Sequence, residues 1–328
     1  MHDIDYEIAD LFDFQIKAIV PYKDFYIVNT SKGKKVLKKC TSSPGRILFV
    51  HGAKEHLYRN NFRNIDRFIC TADGSPYIYI DENIYTMTDF IEGRECDFNN
   101  RDDIVKASRL LALLHKASRG YKPPYDCIIQ DDLGKLPFYF EKRLGELRRL
   151  KKVASKRKSE FDYLYINYVD YFIRSGEDAI KLLNQSNYNE LVDNARQEGI
   201  FCHHDFTYHN IICAENETFI TNFDYCCFEL KLYDIANLLR RKMRKCNWDL
   251  KEAGTIINEY RTIEDISKDE FFILWIMLKF PQKFWRVANR YYNSKRSWAE
   301  RIYTMKLQEV IDEIEHLEPF LDKFEKLF

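Results

Sequence analysis

The sequence predicts an α+β protein in two lobes, a small β-rich one over residues 1–92 and a large, mainly helical one over 93–328. Three observations carry that expectation. Short apolar runs of strand length, separated by turn residues, dominate the chain up to about residue 91. Beyond residue 98 the apolar residues recur at helical spacing. Deep in the helical part, the polar loop His203-His204-Asp205-Phe206-Thr207-Tyr208-His209-Asn210 runs straight into the apolar pair Ile211-Ile212.

In chain order, residues 14–20, 25–29 and 35–39 read as strands, with Pro21-Tyr22-Lys23-Asp24 and Ser31-Lys32-Gly33 as turns. Pro44 opens a helix that runs to about Asn60, since proline is tolerated in a first turn. Residues 76–80 and 84–90 are the fourth and fifth strands, after the turn Asp73-Gly74-Ser75. In the helical part, Ile104, Ala107, Leu110, Leu111 and Leu114 share one face, with Asn100 as N-cap and Gly120 as the stop. Further helices are expected at 138–158, 161–185, 232–246, 250–261, 268–292 and 297–326.

The polar loop has the pattern His-x-Asp, four residues, then Asn, and seventeen residues past Asp205 a second polar point, Asn222, follows in Phe219-Ile220-Thr221-Asn222-Phe223-Asp224-Tyr225. Phosphoryl transfer needs this layout. One carboxylate orients an attacking hydroxyl and accepts its proton, while an Asn and a second acid hold magnesium against the phosphates. A loop followed by a short hairpin brings them together, so the fold expected is protein kinase-like.

These paired motifs resemble those of the aminoglycoside phosphotransferase and choline kinase superfamily, whose pattern is His-Gly-Asp-x-x-x-x-Asn followed by Ile-Asp-Phe/Trp-Glu/Asp. More closely, the chain resembles the CotS-type spore coat proteins of endospore-forming bacteria. That match is carried by the loop and by Phe49-Val50-His51-Gly52-Ala53-Lys54-Glu55-His56-Leu57, Gly93-Arg94-Glu95-Cys96-Asp97-Phe98-Asn99-Asn100 and the segment from Phe280 to Tyr292.

The resemblance implies ATP and magnesium as cofactors and assigns roles. Asp205 is the base, with His203 bracing its loop, and Asn210 is a metal ligand. Lys38, on the third strand, reaches the phosphates, with Glu55 of the following helix as its partner; Lys39 points to the opposite face because strand side chains alternate. Phe90, Ile91 and Glu92 fall at the hinge that meets the adenine. Asp234, in Leu232-Tyr233-Asp234-Ile235-Ala236, supports the catalytic loop. The chain departs from the pattern at Asn222, which stands where the magnesium-binding Asp is expected; Asp224, two residues on, could partly substitute. An amide brings no charge to a hard cation that prefers carboxylates. No glycine-rich phosphate loop is present.

Composition narrows the alternatives. Lys+Arg and Asp+Glu both number 51, so no net charge draws the chain to nucleic acid or to an anionic membrane. Residues 1–7 are acidic and unlike a signal peptide, and the longest apolar run, 271–280, contains Lys279 and is too short to span a bilayer. Nine scattered cysteines suit a reducing compartment, which together points to cytoplasmic synthesis and, by resemblance, delivery to the spore coat. Cys202, His203, His204, His209 and Cys213 include zinc-type ligands, but strand spacing sends Cys202 and His203 to opposite faces. The basic run from Lys142 to Lys158 reads as a solvated helix face. In 283–292, Phe284, Val287 and Tyr291 are expected in the core, and Arg286 and Arg290 near a substrate cleft or a coat-assembly surface.

Two functional classes follow. One is a spore coat protein with a nucleotide-binding cleft and weak or lost transfer, contacting other coat proteins. The other is an active ATP-dependent phosphotransferase on a small hydroxylated or amino-bearing molecule.

Overall fold

The computed structural model describes Ile8 and residues 10–293 and 300–327; the acidic opening 1–7 and the expected helix start at 297 lie outside the described residues. Two compact units form. The first is drawn from Met1–Asp131, Glu198–Asp234 and Thr262–Glu264, the second from Asp132–Gln197, Ile235–Arg261 and Asp265–Phe328.

The first unit begins with β1 (Ile16–Tyr22), β2 (Phe25–Thr30) and β3 (Gly33–Cys40), followed by α1 (Pro44–Arg59), β4 (Ile78–Ile80) and β5 (Asn83–Asp89). These strands make one antiparallel sheet in the order β1-β2-β3-β5-β4. The turn between β2 and β3 closes on Gly33 at φ +88°, where a side chain would be strained. Strand alternation then decides which groups are buried. Leu37 joins Val28, Ile78, Ile80 and Met87 in a core cluster, while its neighbour Lys38 takes the other face, half-buried.

Next come β6 (Arg94–Glu95) and α2 (Arg101–Ser118), then β7 (Phe201–Cys202), β8 (Ile211–Cys213), β9 (Thr218–Ile220) and β10 (Cys227–Phe228). The Asn100 side chain accepts from the backbone N–H groups of Asp102 and Asp103, the N-cap expected. β6, β8 and β9 form one small sheet, and β7 pairs with β10. Gly93 is required where β6 meets β8, because a Cβ there would stand 2.7 Å from the Cys213 carbonyl oxygen.

The second unit is helical: α3 (Leu136–Ala154), α4 (Glu160–Asn184), α5 (Tyr188–Glu198), α6 (Leu232–Met243), α7 (Leu250–Arg261), α8 (Lys268–Lys279), α9 (Gln282–Asn293), α10 (Glu300–Asp312) and α11 (Ile314–Phe324), except that Glu198 and the start of α6 through Asp234 belong to the first unit. Its core joins Leu144, Leu147 and Leu150 of α3 to Phe161, Tyr165 and Phe172 of α4 and to Phe284 and Val287 of α9. Phe284 stacks on Phe172 with centroids 3.9 Å apart, and Phe161 stacks on Tyr291 at 3.8 Å.

Two expectations need correction, and one helix was missed. The helix expected over 268–292 is two helices, because Pro281 lacks an N–H and pushes Phe280 out of helical geometry, to ψ 131°. The helix expected over 297–326 is α10 and α11, broken at Glu313. α5 was not expected at all.

Candidate nucleotide site in the first unit

The loop between β7 and β8 is shaped by one buried carboxylate. Asp234 accepts the backbone N–H groups of His203 and His204, at 2.8 and 2.9 Å, and its Oδ2 lies 3.3 Å from His115 Nε2. Burial pushes the Asp234 carboxyl up, but hydrogen bonding from His115 opposes this, and the group stays below the usual carboxylate range. A structural role for Asp234 was the expectation, and this geometry fits it.

His203 is fully buried and both ring nitrogens are engaged. Nε2–H donates to the Thr221 carbonyl at 3.0 Å, while Nδ1 accepts the Asp205 N–H at 3.3 Å. Those two roles define a neutral tautomer, and burial accordingly lowers its proton affinity. His203 therefore braces the loop and offers no nitrogen to a substrate.

From Asp205 a continuous polar chain runs across the site. Asn210 Nδ2 donates to the Asp205 carbonyl and to its Oδ2, at 2.8 and 2.9 Å. That turns Asn210 Oδ1 toward Asn222, whose Nδ2 donates to it at 3.3 Å. Asn222 Oδ1 in turn accepts Lys38 Nζ at 2.7 Å, and Lys38 reaches Asp224 Oδ2 at 2.8 Å. Burial pulls the Lys38 ammonium down; the ion pair with Asp224 more than offsets this, and the net shift is upward. Asn222 itself has φ 65° and ψ 62°, a left-handed conformation that Asn adopts more readily than most residues.

The helix partner of Lys38 expected from the sequence must be corrected. Glu55 forms a two-pronged pair with Arg67, at 2.9 and 2.8 Å, and Arg67 lies over Tyr58. The buried charge that α1 sends inward is Lys54, only 1% exposed. Its Nζ is 2.9 Å from Asp66 Oδ1 and donates to the Asp66 carbonyl at 2.7 Å, over the Phe68 ring. Asp66 Oδ2 accepts the backbone N–H of Asn222 at 3.0 Å. So the helix supports the site through a lysine and an intervening aspartate, not through Glu55.

Lys54, Asp66 and Arg46 were missed in the sequence. Lys54 left a signal: it shares the apolar face of Ile47, Val50 and Leu57, an odd place for an unpaired lysine. Arg46 Nη2 donates to the Asp224 carbonyl at 2.9 Å and to that of Cys226. A cavity of about 210 Å³ opens here, lined in part by Asp24, Lys38, Arg46, Phe68 and Asp224. At the expected hinge, Phe90 and Ile91 are half-buried and Glu92 is exposed, pairing with Lys34 at 2.9 Å.

These groups fit a divalent cation poorly. Asn210 Oδ1 is capped by an amide N–H, and Asn222 Oδ1 and Asp224 are both held by an ammonium. One carboxylate and two neutral oxygens are a weak offer to magnesium, and a lysine already neutralises the carboxylate.

An antiparallel sheet carrying a lysine, a helix after its third strand, and a His-x-Asp loop followed by a hairpin define a kinase-like fold. Among solved structures, that of an aminoglycoside phosphotransferase from Alicyclobacillus acidocaldarius superposes with a TM-score of 0.85 at 22% identity, covering 96% of this chain and 93% of that one. A spectinomycin phosphotransferase in complex with ADP and spectinomycin gives 0.58 at 11%, covering 97% and 98%. An amicoumacin kinase in complex with AMP-PNP and Ca2+ gives 0.58 at 14%, covering 95% and 93%. The family model described as "Spore coat putative kinase YutH" matches residues 6–324, and the chain belongs to that family. Spore coat protein S of Bacillus subtilis (strain 168) is 26% identical over 304 residues, 92% of this chain and 86% of that protein. Endospore coat-associated protein YutH of the same organism is 23% identical over 228 residues, 69% of this chain and 65% of its own length. Among the described residues no helix is long and apolar enough to cross a membrane.

Proposed function

We propose that this chain is a spore coat component with a nucleotide-binding cleft whose phosphoryl transfer is weak or lost. In this reading residues 1–92 hold the nucleotide, with the backbone of Phe90, Ile91 and Glu92 toward the adenine, and residues 93–328 supply the catalytic loop. ATP is the nucleotide. Its support is the nucleotide in the ADP and AMP-PNP complexes of structurally similar phosphotransferases. Synthesis in the cytoplasm and contact with other coat proteins belong to the same proposal.

The observation that carries it is Lys38 held between Asn222 Oδ1 and Asp224 Oδ2. An ammonium has three N–H donors. Two are used within the protein, and the third is left for a phosphate oxygen. Lys38 thus acts as the built-in cation of the cleft, and nucleotide binding proceeds without a divalent metal. Transfer suffers for the same reason, because little charge beyond Lys38 is positioned to offset what develops on the transferred group.

A second reading, active transfer to a small hydroxylated or amino-bearing molecule, draws support from the Asp205 carboxylate held by Asn210. One experiment separates the two. Asn222→Asp should make ATP-induced thermal stabilisation respond to magnesium and raise transfer, each tenfold gain corresponding to about 1.4 kcal/mol. Brisk magnesium-dependent transfer by the wild type, abolished in Asp205→Asn and unchanged in Asn222→Asp, would favour the active enzyme.

A further inference from the structure

The helical unit contains a cavity of about 490 Å³, in the size range of small-molecule sites. Aromatic side chains form part of its wall, Phe172 of α4, Trp275 of α8 and Phe284 of α9 among them. Of its charged lining residues, Arg240, Arg244, Lys279, Lys283 and Glu313 are half-buried, and Arg174, Asp178, Glu318 and Asp322 are exposed.

Among the described lining carboxylates, Glu313 alone stands with the half-buried cations, and it is shared. Lys283 Nζ is 2.6 Å from it and Arg244 Nε 3.5 Å, while the exposed Glu309 is 3.9 Å from Lys283. At that distance Arg244 Nε makes no hydrogen bond. Trp248 lines the same cavity, and its indole N–H is buried with no hydrogen-bond partner among the described residues. Burial lowers the proton affinity of Arg244; Glu313 opposes this, and the neighbouring Arg286 and Arg241 lower it further. A second negative charge beside Arg244 would offset the cost of its burial. A buried charge without enough counter-charge is costly, and so is a buried N–H without an acceptor.

We propose that this cavity binds a small organic anion with a flat apolar body, its charged end held by Arg244 and Lys279 and its body against Trp248 and Trp275. The site is independent of the nucleotide reading, being built wholly from residues of the helical unit.

The probe is naphthalene-2-sulfonate, titrated by calorimetry into the full chain, with neutral 2-naphthol as its uncharged counterpart. The sulfonate should bind one per chain, quench tryptophan emission, and bind about tenfold tighter than the naphthol, the order expected for hydrogen bonds to a charged group. Arg244→Gln should weaken sulfonate binding by about the same factor and leave naphthol unaffected. Because Arg244 is half-buried and its loss could unsettle packing, Lys279→Gln gives the same readout at a second residue. Equal affinity for sulfonate and naphthol, or wild-type sulfonate affinity in a Lys279→Gln protein with native circular dichroism, would overturn the proposal.

Discussion

Asn222 joins two demands at one residue. Its backbone is left-handed, and its amide must accept from Lys38 and donate to Asn210 at once, which a carboxylate cannot do. The departure from the superfamily pattern was legible in the sequence. Its partner was not, because Lys38 lies 184 positions away and only the fold brings them together. Glu55 shows the opposite failure. Lys54 and Glu55 are adjacent on α1, and which of them faces the site depends on helix rotation, which the apolar face of Ile47, Val50 and Leu57 could have indicated. His203 yields a prediction on acid stability. Its proton affinity is lowered in the folded state, so between its native value and the ordinary 6.5 the unfolded chain binds a proton that the native chain refuses. Stability is then complete above 6.5 and falls as the pH drops below it; His51, lowered chiefly by burial, adds to the same window. Urea midpoints should fall between about pH 7.5 and about 5.5, with a smaller fall in His203→Gln. A flat profile would mean that His203 is not held neutral.

At the scale of elements, the five strands of the first sheet and α1 were legible within a few residues, because turn residues punctuate them and strand alternation sorts their faces. α2 was equally clear from its apolar spacing and from Asn100. That cap gives a direct stability test: Asn100→Ala should cost about 1 kcal/mol, measured by chemical denaturation. A change near zero would mean that water replaces the side-chain oxygen without loss. The breaks in the later helices were harder to read. Pro281 signals one, yet the apolar run through Phe280 masked it, since a buried helix and a chain bend inside the core look alike in composition. α5 was missed because it is short and buries few apolar residues, Tyr188, Val192 and Ala195 among them.

For the whole molecule, the kinase-like fold and the spore coat family were both readable from motifs spread along the chain. What motifs could not convey is that the site is internally satisfied. Each group the superfamily pattern assigns to a metal already has a partner from this chain: Asn210 from Asn222, and Asn222 and Asp224 from Lys38. The decisive property is therefore how nucleotide binding depends on metal and on Lys38. Calorimetric titration of ATP into the full chain, once in excess EDTA and once in magnesium, measures both. Binding is expected at one site in each condition, with affinities within about threefold of each other, and a loss of about tenfold or more in Lys38→Met. Binding that appears only with magnesium and survives Lys38→Met would contradict this expectation.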